Sequence, residues 1–291
     1  MADLHAATEV FTAHRGLLFG LAYRILGRVA DAEDVVQEAW LRWQRTEHDT
    51  IADARGFLVR VVNRLAIDRY RQAKARRECY VGEWLPEPLL TESAADTVET
   101  TETVSLAILV VLENLSPQER VVFVLHEAFD YPYAEIAEIV DRSEPAVRQL
   151  ASRARAHVQD QRPRFDADAT AQRHVTEQFV AAAGNGDVAG LLALLAPDVE
   201  LHSDGGGKAK APLRTIVGAD KVARFLVAIA QEPPYTDPVM RMATVNGGQA
   251  LVVTDDGRPV TVFTVDLRDG QIQQVRILAN PDKLSGVSRV T

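Results

Sequence analysis

Near its N-terminus the chain contains the segment Asp34-Val35-Val36-Gln37-Glu38-Ala39-Trp40. Its apolar residues recur at intervals of three and four, which predicts a helix with one buried face. We expect Asp31 to cap this helix at its N-terminus. The opposite face would present four residues at helical spacing: Asp34, Gln37, Glu38 and Leu41. The segment therefore predicts an amphipathic helix with an exposed, largely acidic face.

A basic segment follows this helix. Residues 55–77 contain eight basic side chains and one acidic side chain, although the net charge of the whole chain is −9. A third helix, starting at about Ala54, would bury Phe57, Leu58, Val61, Val62 and Leu65. Its far side would then present Arg60, Asn63, Arg64, Asp68 and Arg71. Because affinity for phosphate depends on local charge, this stripe favours nucleic acid as a partner.

The composition of the 291 residues is that of a folded multidomain protein. Hydrophobic residues make up 47% and charged residues 25%, which excludes a disordered or collagen-like chain. The most apolar stretch, residues 104–112, is shorter than the roughly 20 residues needed to cross a membrane. Since no signal peptide is evident either, we expect a cytoplasmic protein with no membrane contact. The single cysteine, Cys79, excludes internal disulfides, and we expect no metal or cofactor.

The helical pattern lapses over residues 81–103 and then resumes. The lapse is rich in Pro, Glu, Ser and Thr and contains Trp84-Leu85-Pro86-Glu87-Pro88, which predicts a linker between domains. The segment Ser116-Pro117-Gln118-Glu119 then predicts the capped start of a helix. A short helix at 133–140, a break at 141–143 and a helix from 144 to about 158 have the spacing of a helix-turn-helix.

The pattern changes again after residues 162–164. Two helical segments are followed by stretches in which apolar and polar residues alternate, as they do in half-buried strands. These stretches are residues 199–203, 240–245, 251–254, 260–266 and 272–277. The pairs Gly247-Gly248 and Asp256-Gly257 are typical of hairpin turns. This part predicts an α+β domain, with helices first and then a curved antiparallel sheet.

In their order these motifs resemble the bacterial sigma factors of the extracytoplasmic-function (ECF) type. Residues 34–40 are similar to region 2.2, which in that family binds the clamp helices of the RNA polymerase β′ subunit. Residues 55–77 resemble regions 2.3 and 2.4, which open and read the minus-ten promoter element, and residues 46–53 resemble the loop that holds a flipped base. Residues 115–155 resemble region 4. The resemblance implies binding to core RNA polymerase at the β′ clamp helices and the β flap, and to promoter DNA.

The resemblance also implies roles for individual residues. Binding of core polymerase would involve Asp34, Gln37, Glu38 and Leu41. Binding of DNA would involve Arg60, Asn63, Arg64, Asp68, Arg71, Ser143, Glu144, Arg148, Gln149 and Arg153. Arginines supply charge for phosphates, and Asn63 and Asp68 can read base edges. Arg155, like Arg153, suits a phosphate contact.

Three further segments resemble signatures of ECF sigma factors that are fused to a SnoaL-like domain. They are Trp84-Leu85-Pro86-Glu87-Pro88, Asp204-Gly205-Gly206-Gly207-Lys208 and Asn280-Pro281-Asp282-Lys283-Leu284. By this resemblance, the domain modulates the sigma factor from within the same chain, so that no separate anti-sigma protein is required. The three glycines would let the backbone approach another surface closely, with a charge at each end for pairing. We therefore expect a regulatory contact between domains at these residues.

The expected architecture is multidomain. Two all-α sigma domains, region 2 at 1–80 and region 4 at 105–162, are joined by a linker at 81–104 and followed by a SnoaL-like α+β domain at 168–291. We expect a chain that is a monomer when free and that catalyses no reaction.

Two alternatives stay open at this point. One is a SnoaL-like isomerase or hydrolase with an accessory helical module, for which His202, Asp204 and Asp266 are candidate acid–base residues. The other is a helix-turn-helix regulator whose SnoaL-like domain senses a small molecule. The second alternative gives Asp34, Gln37 and Glu38 no role.

Overall fold

The computed structural model describes residues 2–77, 79–91, 105–161, 169–231 and 235–287. The chain divides into two compact units. The helical unit comprises Met1–Glu78, Ser93–Val104 and Ile108–Arg162, and the mixed unit comprises Cys79–Glu92, Ser105–Ala107 and Pro163–Thr291. The first part of the predicted linker thus belongs to the mixed unit. Its remainder, residues 92–104, lies outside the described residues.

The helical unit begins with α1 (Ala2–Leu26), α2 (Val29–Trp43) and α3 (Ala54–Arg77). Gly27 ends α1 with a φ of 69°, a conformation that favours glycine. The prediction that Asp31 caps α2 is wrong, because the helix starts at Val29 and Arg28 occupies the cap position. Asp31 lies in the first turn instead, where a carboxylate suits the positive end of the helix dipole.

Helix α3 has two buried stripes. The predicted stripe contains Leu58, Val62 and Leu65. A second stripe recurs at the same helical intervals and contains Val59, Asn63, Ala66 and Tyr70, all of them fully buried. Two faces are buried because α3 packs against α1 and α2 and also against two helices from the second half of the unit.

The second half of the helical unit contains α4 (Leu106–Leu112) from Ile108 onward, α5 (Pro117–Phe123), a π-helical turn (Val124–Ala128), α6 (Tyr133–Val140) and α7 (Glu144–Gln161). Helices α5 and α6 are the ones that pack on α3. The predicted capping box is confirmed, since Ser116 and Glu119 bond reciprocally at the start of α5. Asp141 ends α6 in the left-handed conformation, with a φ of 53°. Helices α6 and α7 therefore form the predicted helix-turn-helix.

The mixed unit places helices on a six-stranded sheet. The helices are α8 (Ala169–Gly184), α9 (Val188–Leu194) and α10 (Ala219–Gln231). The strands are β1 (Leu195–Asp204), β2 (Ile216–Val217), β3 (Pro238–Val245), β4 (Gly248–Asp255), β5 (Arg258–Arg268) and β6 (Gln271–Leu278), in the spatial order β2-β1-β6-β5-β4-β3. Apolar residues of the helices and of β1, β5 and β6 form one core.

The sheet differs from the prediction in one pair of strands. Strands β1 and β6 are parallel, whereas the other neighbouring pairs are antiparallel, so the sheet is mixed. The long connection through α10 and the β3–β5 meander returns the chain to β1 in the same direction. As a result, β1 and β6 end side by side, at Asp204 and Leu278.

Three hairpin turns connect β3 to β6. Their central pairs are Asn246-Gly247, Asp256-Gly257 and Asp269-Gly270, and all six residues have positive φ. This geometry twists in the same sense as the strands it joins, which explains the Asn-Gly and Asp-Gly pairs. The first turn is centred one residue earlier than predicted. Across the described residues, the helices are too short or too polar to span a membrane.

Candidate functional site

The exposed face of α2 combines acidic groups with an apolar side chain. Asp34, Gln37, Glu38 and Leu41 are all exposed, at the helical spacing that the sequence predicts. Glu38 accepts a hydrogen bond from Arg42 at 2.8 Å. Leu41 leaves 45% of its surface exposed beside these groups. Such a mixed face is suited to a protein partner, because acidic groups repel the phosphates of nucleic acid.

The exposed face of α3 is basic. Arg64, Asp68 and Arg71 are exposed and Arg60 is half-buried, so four of the five predicted DNA-binding residues of this helix reach its surface. Arg71 lies 3.6 Å from Asp68. Three cations on one face of a helix can follow a phosphate backbone.

Asn63 does not lie on this face, so its predicted position is wrong. Its side chain is fully buried in the second stripe of α3. Helices α5 and α6 cover that side of α3, as the contacts of Tyr70 with α5 and the loop before it demonstrate. Within the described residues, neither Oδ1 nor Nδ2 of Asn63 has a hydrogen-bond partner. In this arrangement Asn63 cannot reach a base.

Arg120 of α5 is a buried cation that the sequence analysis missed. Its Nε donates to the Arg24 carbonyl at 2.9 Å and its Nη1 donates to Glu113 Oε1 at 2.6 Å. Its guanidinium lies 5.0 Å from the centre of the Tyr70 ring. Arg24 and Tyr70 belong to α1 and α3, so one side chain joins the two halves of the helical unit. The signal in the sequence for the burial of Arg120 was its position inside the apolar run of α5.

The start of α7 presents the predicted recognition residues. Ser143, Gln149 and Arg153 are exposed. Arg148 pairs with Glu144 at 2.6 Å, and its guanidinium lies 4.9 Å from the centre of the Tyr133 ring. The exposed Arg148 head group is therefore held in place at the surface of the helix.

Arg155 faces the body of the domain. Its Nε donates to Glu127 Oε1 at 2.6 Å and its Nη2 donates to the Tyr133 hydroxyl at 2.6 Å. The hydrogen bond to Glu127 outweighs desolvation and raises the pKa of Arg155 above its ordinary value. Arg155 thus braces α7 and differs from Arg153, which suits a phosphate contact better.

In the mixed unit, Asp204 holds the linker at the end of β1. The Asp204 side chain is fully buried. The Tyr80 hydroxyl donates to its Oδ1 at 2.5 Å, and the Leu85 N–H donates to its Oδ2 at 2.8 Å. Lys283 Nζ donates to the same Oδ2 at 2.6 Å. A buried carboxylate needs such partners, so the three donors fix the linker against the end of β1.

Lys283 adds a second set of contacts to the linker. Its Nζ donates to the Leu85 carbonyl at 2.7 Å and lies 4.0 Å from the centre of the Trp84 ring. Asn280 Nδ2 donates to the Tyr80 hydroxyl oxygen at 2.6 Å. We call this group the linker clamp: Tyr80, directly before the linker, and Trp84 and Leu85 of the linker, with Asp204, Asn280 and Lys283. The predicted Trp84, Leu85, Asp204, Asn280 and Lys283 are brought together, and Tyr80 was missed.

The glycine run lies directly against the clamp. Gly206 has a φ of 59°, and a Cβ built there would lie 2.6 Å from Asn280 Cγ. Gly207 has a φ of 70°, and its Cβ would lie 3.1 Å from Val81 Cβ. A Cβ on Gly205 would lie 2.6 Å from the Ala209 carbonyl oxygen. A side chain would therefore clash at Gly205 and Gly206 and would be strained at Gly207 by the positive φ, as the expected close approach requires.

The two charges beside the run have different surroundings. Lys208 pairs with Asp282 at 2.5 Å, and both side chains are about half exposed. Asp204 forms its buried ion pair with Lys283. Lys283 is the last residue of the short 3₁₀ turn Pro281–Lys283, which also contains Asp282. The exposed pair and the buried pair therefore lie on neighbouring residues of one turn.

The linker continues along the sheet beyond the clamp. Pro86 and Glu87 are buried, and the Ser285 hydroxyl donates to Glu87 Oε1 at 2.7 Å. The Leu89 N–H donates to Asn246 Oδ1 at 2.9 Å, and the Asn246 N–H donates to the Leu89 carbonyl at 2.8 Å. Linker docking thus extends from the clamp to the first hairpin turn.

His202 links β1 to the start of the linker. Its Nδ1 lies 2.6 Å from Glu83 Oε1, and its Nε2 lies 3.1 Å from Glu200 Oε2. Burial lowers the pKa of His202, but the hydrogen bond and charge of Glu83, helped by Glu200, outweigh it. The net effect raises the pKa above its ordinary value of 6.5.

The candidate acid–base residues are each engaged by another side chain. His202 bonds to Glu83, Asp204 is enclosed by the clamp, and Asp266 pairs with Arg276. Each group already has a structural partner. Among the described residues, no cluster of three His, Cys, Asp or Glu side chains could hold a metal ion.

Comparison with known proteins identifies the family. The family models for Sigma-70 region 2, Sigma-70 region 4 and the SnoaL-like domain match residues 10–76, 105–158 and 176–275. The ECF RNA polymerase sigma factor SigJ of Mycobacterium tuberculosis is 42% identical over 289 residues, which cover 95% of this chain and 92% of SigJ. The chain is an ECF RNA polymerase sigma factor.

Two further comparisons agree with the assignment of this sigma factor to the ECF family. The probable ECF RNA polymerase sigma factor SigI of M. tuberculosis is 34% identical over 288 residues, covering 98% of this chain and 97% of SigI. The crystal structure of M. tuberculosis SigJ superposes with a TM-score of 0.76 at 39% identity, covering 96% and 98% of the two chains. The predicted family, fold class and promoter-directing function are therefore confirmed. The SnoaL-like fold includes enzymes, but these relatives are named as sigma factors.

Proposed function

We propose that this sigma factor binds the β′ clamp helices of core polymerase through the exposed face of α2. Asp34, Gln37, Glu38 and Leu41 offer acidic, amide and apolar groups on one rigid helix. Such a combination can pair with basic side chains around an apolar contact. Region 4 supplies the second contact, on the β flap.

Substitution of Gln37 and Glu38 by Ala tests the α2 contact. The double variant should lose core binding by at least tenfold in a pull-down or fluorescence titration, with unchanged thermal stability, since both side chains are exposed. Glu9→Ala is the matched control, because it removes an exposed acid from α1. Core binding by the double variant that equals binding by the control contradicts the assignment.

The promoter contacts are assigned to two helices. Arg60, Arg64 and Arg71 of α3 would hold the phosphates of the minus-ten element, with Asp68 beside them. The start of α7 would enter the major groove at the upstream element, with Ser143, Glu144, Arg148 and Gln149 near base edges and Arg153 near a phosphate. Asn63 would join the minus-ten contacts only after α5 and α6 separate from α3.

A comparison of Arg148→Ala with Arg153→Ala tests the position of α7. Arg148→Ala should cost about 1–3 kcal/mol at one base pair and relax the preference there, because a guanidinium recognises base edges. Arg153→Ala should weaken binding to all promoters alike and reduce its salt dependence. An equal, sequence-independent loss in both variants contradicts this orientation of the recognition helix.

The mixed unit regulates the factor through the linker, and the linker clamp is the observation that supports this proposal. A docked linker cannot serve as a flexible tether between regions 2 and 4, so clamping restricts the spacings available to the two DNA-binding regions. The internal domain would thereby take the place of a separate anti-sigma protein. The free factor would be a monomer, in the cytoplasm with its polymerase, and light scattering tests the oligomeric state.

A further inference from the structure

The mixed unit contains a cavity of about 530 Å³ between α8, α10 and the sheet. Its wall is formed mainly by apolar side chains: Phe179, Phe225, Leu251, Val253, Phe263 and Ile277. The volume falls in the range of about 300–1,000 Å³ that small-molecule sites occupy. Gly184 and Lys210 also line the cavity and are exposed, so this side is open to solvent.

The polar groups of the wall define the ligand that the cavity can accept. The hydroxyls of Tyr235 and Thr261 bond to each other, and Thr261 also donates to the Val260 carbonyl at 2.8 Å. If Thr261 uses its proton in this way, Tyr235 donates to Thr261 and retains a free acceptor lone pair. Among the described residues, the wall contains no Asp, Glu or His, and Lys210 is at the exposed edge. A charged ligand would be poorly compensated inside, whereas a neutral molecule with one hydrogen-bond donor fits.

In the part of the wall that the structure describes, the groups of a general acid–base catalyst are missing. His202, Asp204 and Asp266 do not line it, and its described ionisable residues are Lys210 and Tyr235. The cavity is therefore built for binding, and this distinguishes it from an active site.

Two segments of the cavity wall connect directly to the linker clamp. Pro212 lines the cavity, and its carbonyl accepts a hydrogen bond at 2.8 Å from the hydroxyl of Ser203, the residue before Asp204. Ala279 lines the cavity too, and its N–H donates to the Asp204 carbonyl at 2.8 Å. The position of Asp204 thus depends on both wall segments.

We propose that the cavity binds a neutral, largely apolar small molecule with one hydrogen-bond donor, and that its occupancy stabilises linker docking. A ligand that holds Pro212 and Ala279 in their present positions favours the state in which Asp204 is placed to receive Tyr80 and Leu85. The effect on transcription, as distinct from binding and docking, rests on the proposed function.

N-phenyl-1-naphthylamine is a suitable probe, because it is neutral, aromatic and carries one N–H. The full chain should bind it saturably with a rise in fluorescence. Leu251→Trp should abolish binding by filling the cavity. The control Val239→Trp should not, since Val239 is 55% exposed on β3 and does not line the cavity. Tyr235→Phe, which keeps the ring, should weaken binding about fivefold through loss of one hydrogen bond.

Hydrogen exchange of residues 79–91 then tests the coupling. Saturating probe should slow exchange of the Leu85 and Leu89 amides by about fivefold or more, and should leave exchange in Leu251→Trp unchanged. Absence of saturable binding overturns the site. So does binding by Leu251→Trp and Tyr235→Phe that equals binding by the unsubstituted chain. Binding without slower exchange overturns the coupling. Neither measurement requires polymerase, so each outcome is independent of the proposed function.

Discussion

Lys283→Met should release the linker from the mixed unit while preserving the length of the side chain. Lys283 is 3% exposed and Asp204 is fully buried, so Met would leave a buried carboxylate without its cation. The docked state of this variant would keep the bonds from Tyr80 and Leu85 to Asp204, but it would lose the bond from Lys283 to the Leu85 carbonyl and the contact with the Trp84 ring, so undocking becomes easier. Loss of one partner from a buried ion pair costs about 3–5 kcal/mol.

Native-state hydrogen exchange measures this cost directly. At tenfold per 1.4 kcal/mol, the amides of residues 79–91 should exchange between about 100 and 4,000 times faster in Lys283→Met. Lys208→Met is the matched control, since it breaks the neighbouring pair with Asp282, in which both side chains are about half exposed. An exposed pair contributes about 0–1 kcal/mol, so exchange should rise by no more than about fivefold. Similar exchange in the two variants would refute the reasoning.

Two further predictions concern the same surface. Gly206→Ala should undock the linker, because its Cβ would displace Asn280 from Tyr80. Gly257 also has a positive φ, of 70°, but no neighbour within 4 Å, so Gly257→Ala should carry backbone strain alone and leave exchange at 79–91 unchanged. His202 should titrate above pH 6.5 by NMR, and Glu83→Gln should lower its pKa. The pKa of His202 is raised in the folded state, so its stabilisation of linker docking is complete below pH 6.5 and is lost as the pH rises through the folded pKa. A docking equilibrium that does not change with pH contradicts this role of His202.

The elements of the fold followed from local patterns. Apolar spacing predicted the three long helices, the Ser116 to Glu119 motif predicted the start of α5, and alternation predicted five strands. These features depend on residues close in sequence. The parallel pairing of β1 with β6 was not predictable in this way, because alternation identifies a strand but not its neighbours.

The sequence predicted part of the site, and the errors in that prediction have a common physical cause. Asn63 has the polarity of a surface residue, but α5 and α6 cover it in the folded chain. Arg120 is buried because Glu113 and the Arg24 carbonyl, 96 residues away from it, compensate its charge. Tyr80 joins the clamp through Asp204, 124 residues later. Burial of polar groups depends on such distant partners, which no local pattern reveals.

Promoter-specific transcription by purified core polymerase tests the central claim most directly. The full-length factor should direct initiation at its promoter, and Lys283→Met should increase the initial rate several-fold because release of the linker frees the spacing of regions 2 and 4. Lys208→Met should match the unsubstituted factor. Equal rates for all three proteins would contradict regulation through the linker clamp, and no initiation by any of them would contradict the function itself.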